Sequence, residues 1–160
     1  GVFGLAEELG IKRQRAKEII ASYNEQFNTL EAFTKSCVEL AREKEYAETI
    51  MGRRRKLPGI NSNNGMVKAF AERNAVNAPI QGSAADIIKV AMVKLFNELE
   101  TGDWKAKMIM QVHDELVLDV PKDELEPLKL IVRECMESAV EINVPLIVDM
   151  KSGEDWLAAH

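Results

Sequence analysis

Ala71-Glu72-Arg73-Asn74-Ala75-Val76-Asn77-Ala78-Pro79-Ile80-Gln81-Gly82-Ser83-Ala84-Ala85-Asp86 lies inside a long apolar-periodic segment running from Met66 to about Leu99. The repeat of apolar residues at helical spacing predicts a helix across this segment. Pro79 interrupts the pattern. It lacks a backbone donor and its ring crowds the preceding turn, so a kink or break is expected there. Arg73, Asn77 and Gln81 recur every fourth residue, which on a helix puts them along one slowly drifting face. All three donate hydrogen bonds and none is acidic. Every base pair presents acceptors in the minor groove at nearly degenerate positions, so such a row could sense base-pair shape without reading sequence. On spacing alone, a solvated polar face with Arg73 paired to Glu72 or a neighbour explains the row equally simply.

Outward from this helix the chain alternates elements. Upstream, Val2–Leu9 reads as a short helix closed by Gly10, Arg13–Phe27 as a second, and Leu30–Lys44 as a third. Tyr46–Ile50 and Arg54–Leu57, joined around Met51-Gly52, read as a small hairpin. Asn61-Ser62-Asn63-Asn64-Gly65 is a loop by composition and a cap for the long helix. Downstream, Lys107–Val120 alternates, with Met108, Met110 and Val112 on one face and Ile109, Gln111 and His113 on the other. Leu116, Leu118 and Val120 resume the alternation after Asp114-Glu115, which predicts a β-hairpin with a tight turn. Asp123 to about Ile142 then reads as a helix, Leu146–Met150 as a strand and Lys151–His160 as a tail. The order predicts an α+β fold.

A chain of 160 residues, 46% hydrophobic and 29% charged, has room for one well-cored domain or one with a small appendage. No apolar run approaches the roughly 20 residues a membrane helix needs. Gly1-Val2-Phe3-Gly4 carries neither an initiating Met nor a signal pattern, as expected of a cut from a longer chain or of a processed start. Cys37 and Cys135 lie far apart without metal-ligand spacing, which favours reduced, buried thiols in the cytoplasm. The net charge of −5 argues against nucleic acid taken alone, but its distribution is uneven. Met51–Ala71 holds Arg53, Arg54, Arg55, Lys56 and Lys68 and no acid; Asp114–Glu126 holds Asp114, Glu115, Asp119, Asp123, Glu124 and Glu126 against Lys122 alone. This suits a surface that meets phosphates and a site that collects cations, or equally two solvated faces.

The turn Gln111-Val112-His113-Asp114-Glu115 holds the densest potential chemistry. Mg²⁺ prefers hard oxygen donors and usually takes one or two carboxylates plus substrate phosphates. Adjacent strand residues point to opposite faces, so Asp114 and Glu115 would not chelate one ion equally. On spacing alone, an acidic polar turn accounts for the residues as well. A metallohydrolase centre is weak, because the only histidines are His113 and His160.

Taken together, the two constellations are decisive. The Glu72–Asp86 stretch is similar to the Ala-Glu-Arg-x-x-x-Asn-x-Pro-x-Gln-Gly-Ser/Thr-Ala-Ala-Asp signature of family A DNA polymerases, and Met110–Glu115 resembles that family's motif C. Ser152-Gly153-Glu154-Asp155-Trp156 through His160 resembles the bacterial C-terminal ending, so a natural end is expected there. The resemblance covers essentially the whole chain. It implies that residues 1–50 belong to a helical fingers subdomain and 51–160 to the C-terminal part of a palm, an antiparallel sheet packed on long helices.

By resemblance, Asp114 is the motif C ligand of both catalytic Mg²⁺ ions, Glu115 supports the site, and His113 approaches the primer 3′ end. Arg73, Asn77 and Gln81 line the minor groove beside the insertion site. Arg53 and Arg54 belong to a Gly-Arg-Arg element near the duplex backbone. Lys68 stands where the family often has Arg, keeping the charge but not the bidentate fork. The partners implied are a primer-template duplex and dNTPs, in the cytoplasm with the nucleoid. A second aspartate from motif A and the nucleotide-holding motif B helix are not in this chain. Asp114 therefore carries half a metal site, and an exposed sheet edge could pair copies of the chain.

A reading from another class remains open at this point. Gly4–Ile11 followed by Lys12–Tyr23 has the form of a helix-turn-helix, a regulator's DNA-binding module. Competition binding separates the two. A regulator prefers its own site by about 10³-fold or more. A polymerase piece is expected to bind duplexes without base preference and with steep salt dependence.

Overall fold

The computed structural model describes residues 1–159; His160 and any role for it lie outside the described residues. The elements are α1 (Val2–Glu8), α2 (Arg13–Gln26), α3 (Asn28–Lys44), β1 (Tyr46–Glu48), β2 (Arg54–Lys56), α4 (Gly65–Thr101), β3 (Lys107–Val112), β4 (Glu115–Asp119) and α5 (Leu125–Glu137). The fold is α+β, with two separate two-stranded antiparallel sheets, β1–β2 and β3–β4. The chain divides into two compact units, Gly1–Glu48 with Gly52–Pro79, and Thr49–Met51 with Ile80 onward.

In the first unit, local chemistry sets the helix ends. Gly10 takes φ +61° just past α1. Its N–H donates to the Glu7 carbonyl at 3.2 Å and Ile11 N–H donates to the Ala6 carbonyl at 3.0 Å, the paired bonds of a Schellman ending. At the start of α4 the Asn64 side-chain oxygen accepts from Met66 N–H at 3.0 Å, satisfying an otherwise orphaned donor. The core consists of Ala41, Ala47, Leu57, Ile60, Ala71, Ala75 and Ala78, with Val38 packed against it. Five of these seven are alanines, so α3, β1 and the first half of α4 approach closely around Ile60 and Leu57. An ion pair of 2.5 Å between Arg42 and Glu72, with Asn61 Nδ2 donating to the Arg42 carbonyl at 3.0 Å, ties α3 to α4 and to the loop before it.

The second unit is built on larger side chains. Leu95 and Leu99 of α4 meet Leu128, Val132 and Cys135 of α5 and Ala106, and Met108, Leu116, Leu118 and Val120 of the hairpin pack against this cluster. Glu124 organises the entry to β3, its carboxylate accepting from Lys105 N–H at 3.0 Å and Ala106 N–H at 3.0 Å. Burial pushes the Cys135 thiol above its ordinary pKa, with Glu98 and Glu134 adding to the effect; burial raises Cys37 as well. Both thiols are free.

Four expectations are corrected. Of the kink or break expected at Pro79, the break is not made: α4 runs through it as one helix of 37 residues, although the two units change hands between Pro79 and Ile80. The helix expected to reach Ile142 stops at Glu137, capped by Ser138. Leu146–Met150 forms no strand. Val148 N–H there donates to Glu137 Oε1 at 3.0 Å, so a side chain takes the bond a neighbouring strand would have made.

The fourth correction concerns β3. Met108 pairs with Leu118 and Met110 with Val117, so Ile109 is an extra residue, a β-bulge. Beyond it the faces exchange. Gln111 pairs with Leu116 and shares its side of the hairpin with Met108 and Leu118, while Met110 and Val112 share theirs with Val117 and Glu115.

Leu95 is fully buried and Leu130 on α5 is 67% exposed. Leu95→Ala is expected to cost about 2–5 kcal/mol in urea unfolding of the chain. Leu130→Ala should stay within about 0.5 kcal/mol.

Candidate active site

The tip of the β3–β4 hairpin brings His113, Asp114 and Glu115 together, all exposed, in the second unit. Val112 pairs with Glu115, so His113 and Asp114 alone make the loop. Two-residue loops suit the right-handed twist of paired strands when φ is positive at the first position, a place glycine usually takes. Here His113 holds it at φ +53°, a conformation costing a non-glycine residue on the order of 1 kcal/mol. Gln111 Nε2–H donates to the His113 carbonyl at 2.7 Å across this turn. His113, Asp114 and Glu115 are all exposed. The Asp114 carboxylate has no hydrogen-bond or ion-pair partner among the described residues.

These groups fit a divalent ion only in part. Asp114 is a hard oxygen donor suited to Mg²⁺, which completes its shell with water and substrate oxygens. No group of three or more His, Cys, Asp or Glu side chains able to hold a metal occurs among the described residues. The rest of the acidic stretch does not converge on the tip. Glu124 is engaged by backbone N–H groups, and Glu126 pairs with Lys129 at 2.7 Å.

Gln81 also belongs to the second unit and is exposed on α4. Close by in sequence, Ser83 and Asp86 are 8% and 7% exposed. Thr49 Oγ1 donates to Asp86 Oδ2 at 2.5 Å, and Ile50 N–H donates to Ser83 Oγ at 3.0 Å. These two α4 side chains hold the turn that joins β1 to β2. Sequence reasoning gave neither a role, nor Gln111; the visible signal was only their place in the two quoted motifs.

In the first unit, Arg73 and Asn77 are exposed and four residues apart on α4. Glu72 is paired with Arg42 rather than Arg73, and the Arg73 guanidinium lies 5.8 Å from the centre of the Phe70 ring, a cation–π distance. Asn77 makes no side-chain hydrogen bond among the described residues. On β2, Arg54 is engaged twice, bonding Glu48 at 2.8 Å and lying 4.7 Å over Tyr46. The Glu48 hydrogen bond and the nearby Tyr46 push its pKa further above the ordinary guanidinium value. Arg53, Arg55 and Lys56 are exposed, and Lys68 in the first turns of α4 is half-buried.

A sequence profile described as DNA polymerase family A matches residues 1–158. The chain belongs to DNA polymerase family A. Its relatives in the family include DNA polymerase I of Lactococcus lactis subsp. lactis (strain IL1403), 48% identical over 157 residues, which are 98% of this chain and 18% of that protein. DNA polymerase I of Streptococcus pneumoniae serotype 4 (strain ATCC BAA-334 / TIGR4) is 49% identical over the same shares, and that of Bacillus subtilis (strain 168) 45%. Among solved structures, the POL domain of Pol1 from M. smegmatis, in complex with DNA primer-template and dNTP, superposes with a TM-score of 0.96 at 41% identity, over 99% of this chain and 28% of that one. The chain thus spans under a fifth of the length of these curated family A relatives. None of these matches points to a helix-turn-helix regulator. No helix among the described residues is long and apolar enough to cross a membrane.

With one uncommitted carboxylate and no cage, Mn²⁺ should bind weakly, in the millimolar range. It should broaden the backbone resonances around Asp114, and Asp114→Asn is expected to abolish that broadening.

Proposed function

We propose that this chain is the C-terminal part of a DNA-directed DNA polymerase of the bacterial DNA polymerase I type, which transfers nucleotides from dNTPs to a DNA primer 3′ end in replication and repair. The observation that carries the proposal is Asp114, an exposed and unpartnered carboxylate on a two-residue turn, in a chain of DNA polymerase family A. On this reading residues 1–50 belong to the fingers and 51–160 to the palm, and the protein works in the cytoplasm with the nucleoid.

The roles are assigned residue by residue. In the second unit Asp114 holds catalytic Mg²⁺, Glu115 supports it from the other side of the strand, and His113 meets the primer terminus. Two such ions, in the complete enzyme, supply Lewis acidity toward the 3′ hydroxyl and the leaving phosphates. Gln81 donates to minor-groove acceptors, as do Arg73 and Asn77 in the first unit. Exposed donors of this kind test base-pair geometry because purine N3 and pyrimidine O2 lie at nearly the same place in every pair. Arg53, Arg54 and Lys68 meet phosphates. Arg54 reaches them as a preorganised cation, held by Glu48 and Tyr46. Asp86 and Ser83 support this by holding the turn that leads into Gly52-Arg53-Arg54.

One carboxylate does not make a two-ion centre, so the chain by itself is expected to leave a primer unextended with Mg²⁺ and all four dNTPs. Robust extension by the isolated chain would overturn the assignment of roles. Duplex binding should be weak and indifferent to sequence, and Lys68→Ala should lower the salt slope by about 1. The β3–β4 sheet has two strands only, and we propose that its open edge pairs copies of the isolated chain. Light scattering should then give a mass that rises with concentration; a constant monomer mass removes this point.

A further inference from the structure

The Asp114 carboxylate stands on a backbone that holds its position against a conformational preference. Among the described residues, the non-glycine residues with positive φ are Glu45, at the end of a helix, and His113. The carbonyl of His113 belongs to the peptide plane that ends at the Asp114 Cα. Turning that plane turns the Asp114 side chain with it. Gln111 grips this carbonyl, Nε2 to O, at 2.7 Å, and its side chain makes no other hydrogen bond among the described residues. The two-residue turn, by pairing Val112 with Glu115, sets Gln111 opposite Leu116, and the bulge at Ile109 lets Met108 share that side.

We propose that Gln111 is a positioning residue: its side-chain amide locks the His113–Asp114 peptide plane and so sets the direction in which Asp114 presents its carboxylate to a divalent ion. The inference rests on the metal-binding reading of Asp114, and the two are tested separately. An exposed glutamine that donates one bond to a strained turn contributes as much as a neutral hydrogen bond does, so its removal should weaken ion binding roughly 2- to 10-fold. Glycine adopts positive φ without steric cost, so His113→Gly should make the lock dispensable.

The experiment uses the isotopically labelled chain and Mn²⁺ alone as the probe. The Cα and Cβ shifts of His113 report its φ, and broadening around Asp114 reports the ion. In Gln111→Leu the His113 shifts should move away from the positive-φ signature, and Mn²⁺ affinity should fall by the stated factor. Gln111→Met keeps the length and neutrality but cannot donate, and should behave alike. Adding His113→Gly to Gln111→Leu should return the affinity to near that of the unsubstituted chain. If Gln111→Leu leaves the His113 shifts in place, the lock is overturned. If the glycine fails to restore binding, Gln111 acts on the ion by a route other than the turn, and the positioning role is overturned. If Asp114→Asn leaves the broadening intact while Gln111→Leu still moves His113, the lock stands and the metal reading of Asp114 falls.

Discussion

A two-stranded hairpin has too little buried surface to hold its own shape in water, and that constraint governs the second unit. The β3–β4 pair persists because Met108, Leu116, Leu118 and Val120 rest against Leu95, Leu99, Leu128 and Val132. The helices therefore act as the missing layer of the sheet. Glu124 completes the arrangement by taking the N–H groups of Lys105 and Ala106 where the chain enters β3. With the base of the hairpin fastened, its tip can carry exposed polar groups without collapsing the fold around them.

The same division of labour runs through the charges. Most acidic side chains near basic ones are already spent. Glu72 holds Arg42, Glu48 holds Arg54, and Glu126 holds Lys129. Each such pair is exposed enough to contribute little to stability, but it removes two charges from the list of groups free to meet a ligand. Asp114 and Arg73 are left out of these pairings, the first with no partner and the second resting on an aromatic ring. A chain with a net charge of −5 in this way still presents an exposed cation on α4 and an exposed, unpaired carboxylate at the hairpin tip.

Periodicity made the helices, the turn at Gly10, the Asn64 cap and the hairpin itself legible, because each depends on neighbours in sequence. The family was legible only through the resemblance of Ala71–Asp86 and Met110–Glu115 to its signatures, since the spacing by itself fits a polar helix face and an acidic turn. What stayed hidden depends on partners far along the chain. Nothing local says that Asp86 accepts from Thr49, or that Glu137 takes the N–H of Val148 and leaves Leu146–Met150 without a ladder. The bulge at Ile109 was invisible for a sharper reason. Met-Ile-Met-Gln-Val satisfies strict alternation on paper, and only the count of residues on the opposite strand reveals the extra one. Pro79 did not end the helix: α4 continues on both sides of it, since a proline costs an internal bond without forbidding the helix to resume.

The bulge also makes the hairpin sensitive to length in a way that substitution tables do not capture. Removing Ile109 would restore regular pleating and leave Met108 opposite Leu118 and Gln111 opposite Leu116, whereas removing a residue between Met110 and Val112 would turn part of the strand over against its partner. An added residue in the His113–Asp114 loop would shift Glu115 and everything after it by one place. The hairpin is thus a ruler with one spare division, at Ile109: between Met110 and Glu115 the count of residues matters as much as their identity.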